Sequence, residues 1–254
     1  MKSKVFIIFL FVVLFISACG KLSDKDQSLT SKEYADIGLP DPSKIWNYDD
    51  YFEACDILNY LKTNKPLSLP RKDSKRSGTY FNRMINPDNL SFLQNDTIPL
   101  NEKAYQIQKY LDIYELLLSA YTNLNSTNEQ YYNRELIEIY LFGLTIAQDM
   151  LDLGQSINES VVEQDIGMQH GFPSIQHMYV SMILFILNIQ NKAGVFEEAD
   201  LQKLTEYISN SISLNKEWMD STELKDLKLG IREVMDNTAS DAILNEYGNL
   251  IETL

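Results

Sequence analysis

The sequence predicts an all-α fold, a single irregular bundle of about seven to nine helices that follows a signal peptide and a flexible tether. Apolar residues recur at three- and four-residue spacing from residue 47 onwards, as on one face of a helix. No segment alternates apolar and polar residues with the period of two that a half-buried strand requires. The helical segments differ too much in length for a solenoid of stacked repeats. One bundle of unequal helices is therefore expected.

Residues 1–18 have the composition of a signal peptide. Lys2 and Lys4 form a basic start, and residues 5–16 are an apolar run that is too short to span a bilayer comfortably. The run ends in Ile16-Ser17-Ala18-Cys19, which resembles the lipobox of bacterial lipoproteins. This resemblance implies that Cys19 receives acyl chains, palmitate among them, which hold the protein in a membrane. An ordinary secretory signal with a nearby cysteine, or a short membrane anchor, is the alternative.

Residues 19–45 are predicted to be the lipidated cysteine and a flexible tether. The segment is rich in Ser, Lys, Asp and Gln, and Pro40 and Pro42 lie near its end. Gly20 replaces the aspartate that, in enteric bacteria, retains lipoproteins in the inner membrane. The resemblance therefore implies a place in the bacterial cell envelope, with the periplasmic or surface face of an outer membrane favoured.

Residues 46–254 form the predicted helical domain. Asn47 is placed to cap its first helix, which Pro66 ends, and Thr127 with Gln130 fits a capping box. Gly154 is expected to end the helix that the capping box begins. The longer predicted helices span about 48–65, 101–124, 127–153, 174–192, 196–212, 221–235 and 240–251, and shorter ones about 79–85, 87–93 and 158–166.

Two features predict how the helices pack. Gly143 and Ala147, four residues apart, would allow a neighbouring helix to approach closely. After a turn through Gly167, Gly171 and Pro173, residues 174–192 are apolar almost all round. Such a helix must be surrounded, so we expect it to be the central helix of the bundle and not a second membrane span.

One basic cluster stands out in this acidic domain. It consists of Arg71, Lys72, Lys75 and Arg76 within the longest irregular stretch. The expectation is that these cations dock against the domain's own carboxylates or are solvated. The alternative is a recognition loop for an anionic ligand.

Catalytic and metal-binding motifs are not found in the sequence. His170 and His177 lack the glutamate three residues earlier that helix-bundle metal sites use, and no zinc-binding or phosphate-binding motif is present, so no cofactor is expected. Cys55 lies among apolar residues at helical spacing, which indicates a buried inert thiol. Carboxylate pairs on shared helix faces, such as Glu135 with Glu138 and Asp149 with Asp152, are expected on solvated surfaces.

Charge narrows the class of partner. Removing Lys2 and Lys4 with the signal peptide takes the formal charge from −14 to −16, which disfavours nucleic acid and favours basic protein partners. The interpretation is a non-catalytic, membrane-anchored protein-binding module, either an accessory subunit of an envelope assembly or an immunity-type protein. The alternative is an enzyme or small-ligand binder with a pocket near His170, His177 and the Arg71–Arg76 loop.

Overall fold

A computed structural model describes residues 26–122, 131–159, 166–191 and 196–254. For residues 158–159 and 166–172 it describes the backbone only. The described residues contain nine α-helices and no strand, which confirms the all-α prediction. The α-helices are α1 Ser31–Asp36, α2 Tyr48–Asn64, α3 Gly78–Met84, α4 Leu100–Tyr121, α5 Asn133–Glu159, α6 Ile166–Gln190, α7 Glu198–Asn215, α8 Ser221–Asn237 and α9 Asp241–Thr253. Short 3₁₀-helices span Pro66–Ser68, Pro87–Gln94 and Lys216–Trp218.

The predicted tether is corrected over most of its length. Residues 26–45 pack on the domain, because Tyr34 is fully buried and Leu39 nearly so. Thr30 and Glu33 form a reciprocal capping box at the start of α1. Gly38 follows the helix with φ of 90°, a left-handed conformation that suits glycine. Cys19 and the rest of the predicted tether lie outside the described residues.

Local capping signals define several helix ends, and those of α2 are as expected. The side chain of Asn47 accepts from the backbone N–H of Asp50, and α2 ends just before Pro66. Asp220 and Glu223 form a capping box at the start of α8. The Thr127–Gln130 capping box falls on residues 123–130, outside the described part of the chain.

Two predicted boundaries are wrong. Helix α5 continues through Gly154 to Glu159, and α6 begins at Ile166, so the expected turn at 167–173 is helical instead. Pro173 lies inside α6. Proline lacks an N–H and loses one hydrogen bond of the helix ladder, yet the apolar residues that follow it still bury most of their side chains. Tertiary packing thus outweighs the local breaking signals.

The central helix is α5 and not the very apolar α6. Helix α5 packs against α4, α6 and α7, and α2 packs on α4. Helix α6 also contacts α8, α8 contacts α9, and α9 contacts α7, so that these helices form a ring with α5. Helix α6 leaves Ser181, Phe185 and Asn188 exposed, at the spacing of one helix face. The prediction that α6 is surrounded was therefore wrong. No helix among the described residues combines the length and apolar character that crossing a membrane requires.

Candidate functional site

The irregular segment from Lys65 to Ser77 is held on the bundle by buried tyrosines. The hydroxyl of Tyr34 donates to the carbonyl of Ser68 at 2.6 Å, and that of Tyr121 donates to the carbonyl of Pro70 at 2.8 Å. Tyr132 donates to the carbonyl of Pro66 at 2.9 Å. Burial raises the pKa of all three hydroxyls, so they remain protonated donors at neutral pH. These bonds fix the backbone that carries the basic cluster.

The same segment folds back tightly on itself at Gly78. A Cβ atom at this position would lie 2.8 Å from the carbonyl oxygen of Lys72, which leaves no room for a side chain. The hydroxyl of Ser77 accepts the backbone N–H of Arg71 at 3.0 Å. The side chains of residues 71–76 are therefore presented by a constrained turn.

Three of the four cations in the basic cluster contact the domain's own carboxylates, which confirms that expectation for them. Nε of Arg71 lies 3.8 Å from Oε1 of Glu135, and Arg76 lies 3.8 Å from Glu33 in a pair that is largely exposed. Lys72 forms an ion pair with Glu138. Lys75 is exposed and has no carboxylate within 4.0 Å in the described residues. Most of the positive charge of the cluster is thus paired with carboxylates of the same chain.

Glu138 is shared between two lysines. Nζ of Lys203 on α7 lies 2.7 Å from both carboxylate oxygens, and Lys72 reaches Oε1 from the loop. Burial acts to raise the pKa of Glu138, but the hydrogen bonds from Lys203 and Lys72 outweigh it and leave the pKa below its usual range. Glu138 therefore joins the loop, α5 and α7.

Glu135 is the most enclosed carboxyl group of the site. The side chain is only 2% exposed; its Oε1 accepts the backbone N–H of Lys72 at 2.8 Å, while Oε2 has no hydrogen-bond partner in the described residues. Burial raises its pKa, and the hydrogen bond from Lys72 and the charge of Arg71 only partly oppose this. The expectation that Glu135 and Glu138 form a solvated surface pair was wrong, because the loop covers them.

An open cleft of about 350 Å³ lies between the loop and the start of α5. We call it the ionic cleft; its lining residues are Asp26, Arg71, Asp73, Ser74, Lys75, Arg134 and Glu135. Arg134 is paired with Asp73 at 2.6 Å, and the guanidinium of Arg71 lies 4.1 Å from the centre of the Tyr131 ring. The cleft thus combines three cations and three carboxyl groups around a polar opening.

The structure does not bring His177 to this cleft. His177 is 78% exposed and lies 3.7 Å from Glu223 on α8. Two residues on, Tyr179 donates to Gln148, which follows Glu135 on α5 by 13 residues, or roughly 20 Å of helix. The shared pocket expected of His177 and the Arg71–Arg76 loop is therefore not formed. The side chain of His170 lies outside the described set.

A second surface feature lies on α2 and α4. Tyr48 and Phe52 contact each other with ring centres 6.4 Å apart, and Nζ of Lys109 lies 5.0 Å from the Tyr48 ring and 4.5 Å from the Tyr105 ring. Phe52 is 49% exposed and Tyr105 is 62% exposed. We call these four residues the aromatic face. Their contacts set one another's positions while much of their surface faces solvent.

Cys55 is buried, as expected, and burial raises the pKa of its thiol to about 12. Within the described ranges, no three side chains of the metal-ligating types His, Cys, Asp and Glu are grouped to hold an ion.

No family model, curated protein or solved structure matches this chain. Function must therefore be inferred from the lipobox-like segment, the ionic cleft and the aromatic face of this chain.

Proposed function

We propose that this chain is a lipid-anchored, extracytoplasmic helical module that binds a protein partner through the aromatic face. The lipobox-like Ile16-Ser17-Ala18-Cys19 segment supports the anchor. Gly20, which stands in place of the aspartate that retains lipoproteins in the inner membrane, favours an outer-membrane position in a bacterial envelope. The aromatic face is the single observation that carries the binding role.

The composition of the aromatic face is that of an interface centre. Aromatic residues dominate binding hot spots because they offer large contact areas with few rotatable bonds. Isolated exposed apolar residues are ordinary on protein surfaces, but Tyr48, Phe52 and Tyr105 are joined through mutual contacts and Lys109. A partner that covers them would gain apolar burial at little cost in side-chain entropy.

Charge around the face indicates what kind of protein fits it. Exposed carboxylates lie beside it on both helices, at Asp49, Glu53 and Asp56 on α2 and at Glu102 and Asp112 on α4. Such a rim attracts a basic protein surface and repels anionic lipid headgroups. The partner we propose is therefore an envelope protein with an apolar patch ringed by lysine or arginine.

Co-purification from membranes tests this proposal with the full-length chain. We expect wild-type protein to recover one partner in stoichiometric amount, and the double variant Phe52→Ala/Tyr105→Ala to recover at least about tenfold less. Leu229→Ala, at an equally exposed apolar residue on α8, is the matched control and should recover the wild-type amount. Equal recovery with the double variant and the control would overturn the proposed surface.

Acylation is tested separately by metabolic labelling with palmitate. Cys19→Ser should abolish the label. A Cys19→Ser protein that still incorporates labelled palmitate would contradict acylation at this residue.

A further inference from the structure

We propose that the ionic cleft binds a free α-amino acid, whose ammonium group donates to Oε2 of Glu135 and whose carboxylate accepts from Nε of Arg71. This site lies apart from the aromatic face and does not depend on the proposed protein partner. Its two central atoms are both buried and both without a hydrogen-bond partner among the described residues.

Glu135 supplies an acceptor that the protein leaves unused. Its Oε1 is occupied by the backbone N–H of Lys72, so the carboxylate is fixed in position, while Oε2 is buried beside the cleft and has no donor in the described residues. A buried carboxylate oxygen without a donor is costly, and a ligand ammonium group would remove that cost with a charge-assisted hydrogen bond.

Arg71 supplies the matching donor. Its guanidinium is held against the Tyr131 ring, and its Nε lies 3.8 Å from Oε1 of Glu135, beyond a hydrogen bond. Nε is buried and lacks an acceptor in the described part of the protein. The donor and the acceptor therefore stand side by side in one cleft, with opposite charges.

A complementary ligand must present a cation and an anion on neighbouring atoms. The ammonium and carboxylate groups of an α-amino acid are attached to the same carbon and meet this requirement. A hydroxyl group can accept and donate as well, but it is neutral and would compensate neither charge, so we infer the zwitterion. The three cations and three carboxyl groups that line the cleft are equal in number, as are the α-ammonium and α-carboxylate groups of the ligand.

The opening of the cleft indicates a side-chain preference. Arg134 is engaged by Asp73, whereas the exposed Lys75 has no carboxylate within 4.0 Å in the part of the chain described. An acidic ligand side chain would find a cation there, and a basic one would be repelled. We therefore expect L-glutamate to bind more tightly than L-alanine, and L-lysine more weakly than either.

Titration calorimetry on the detergent-extracted, full-length protein tests the site. Wild-type protein should bind L-glutamate, and N-acetyl-L-glutamate, which lacks the ammonium group, should bind at least about tenfold more weakly. Glucose, a neutral polyol, should give no saturable signal. Glu135→Gln keeps an oxygen for the Lys72 N–H and should weaken L-glutamate binding at least about tenfold, while Glu233→Gln on the exposed side of α8 should not.

Three results would overturn the inference: no saturable binding of L-glutamate, L-alanine or L-lysine; equal affinity for N-acetyl-L-glutamate; or saturable binding of glucose alone. All three use wild-type protein and do not depend on whether a variant folds. Because the Glu135→Gln protein retains the aromatic face, it should still recover the protein partner, so failure at the cleft and failure of the proposed function are distinguishable.

Discussion

Gly143 on α5 lies directly against the ring of Tyr114 on α4. A Cβ atom at Gly143 would fall within 2.6 and 2.7 Å of two ring carbons, well inside van der Waals contact. The close approach of α4 and α5 therefore depends on this glycine, and these two helices join the loop-bearing half of the molecule to the ring of α6 to α9.

The Gly143 contact gives a stability prediction. Gly143→Ala should lower the free energy of unfolding by about 1–3 kcal/mol, because the ring or the helix must move. Gly248→Ala on α9 is the control: its nearest neighbour would be 4.0 Å away, and it should stabilise by about 0.5–1 kcal/mol through the lower entropy of the unfolded chain. Urea unfolding measures both variants, and equal effects would contradict the packing.

The tyrosine that holds the loop gives a second prediction. Tyr121→Phe removes the hydroxyl that donates to the carbonyl of Pro70, and should lower the free energy of unfolding by about 1–2 kcal/mol, since the carbonyl is left buried without a donor. Tyr60→Phe, at a tyrosine that is 59% exposed, should be close to neutral. If Tyr121→Phe left the free energy of unfolding unchanged in the same urea titration, the result would contradict a stabilising hydrogen bond from Tyr121 to the loop.

Glu138 is predicted to stabilise the folded protein less at acid pH than at neutral pH. Its pKa is lower in the folded protein than in the unfolded chain, so its stabilising contribution is complete above the unfolded value near 4.5 and is lost as the pH falls through the folded pKa. Glu138→Gln should destabilise by about 1–2 kcal/mol at pH 7, with a smaller difference at pH 3. Thermal melting at both pH values measures this, and a difference that grows in acid would contradict it.

Asp149 gives the opposite pH dependence. Burial and then the neighbouring charge of Asp152 raise the pKa of Asp149 to about 6 from an ordinary value of 3.8. The folded state therefore holds this proton more tightly, and stability is lost as the pH rises from about 4 to 6. After allowance for solvent screening, Asp149→Asn should stabilise by about 1 kcal/mol at pH 7.5 and have no effect below pH 4. Asp226→Asn, on the exposed side of α8, should change melting at neither pH.

The parts of the fold that could be predicted are those marked in the sequence by helical periodicity and by capping residues. Asn47 and Pro66 bounded α2, and the Gly143 position was predicted as a close contact. The extent of α5 and α6 was not predictable from Gly154 and Pro173, because burial of the neighbouring apolar residues outweighs a local breaking signal.

The site was predictable only in part. The basic cluster could be found from its residue types, and its docking on carboxylates followed from the acidity of the chain. Which carboxylates it contacts could not be read from the sequence, because a loop from 65–77 must first be folded onto α5. One signal was present: Glu135 and Glu138 flank Leu136 and Ile137 in an otherwise apolar run, which favours buried over solvated carboxylates.

Site-specific photocross-linking in cells tests the central claim most directly. A benzophenone amino acid is placed at Phe52, at Tyr105 or, as the control, at Leu229 of the full-length chain. The proposal predicts that positions 52 and 105 cross-link to the same single protein, and that position 229 does not. Cross-linking of that protein at position 229 as strongly as at 52 and 105, or no cross-link at either aromatic position, would contradict binding through the aromatic face.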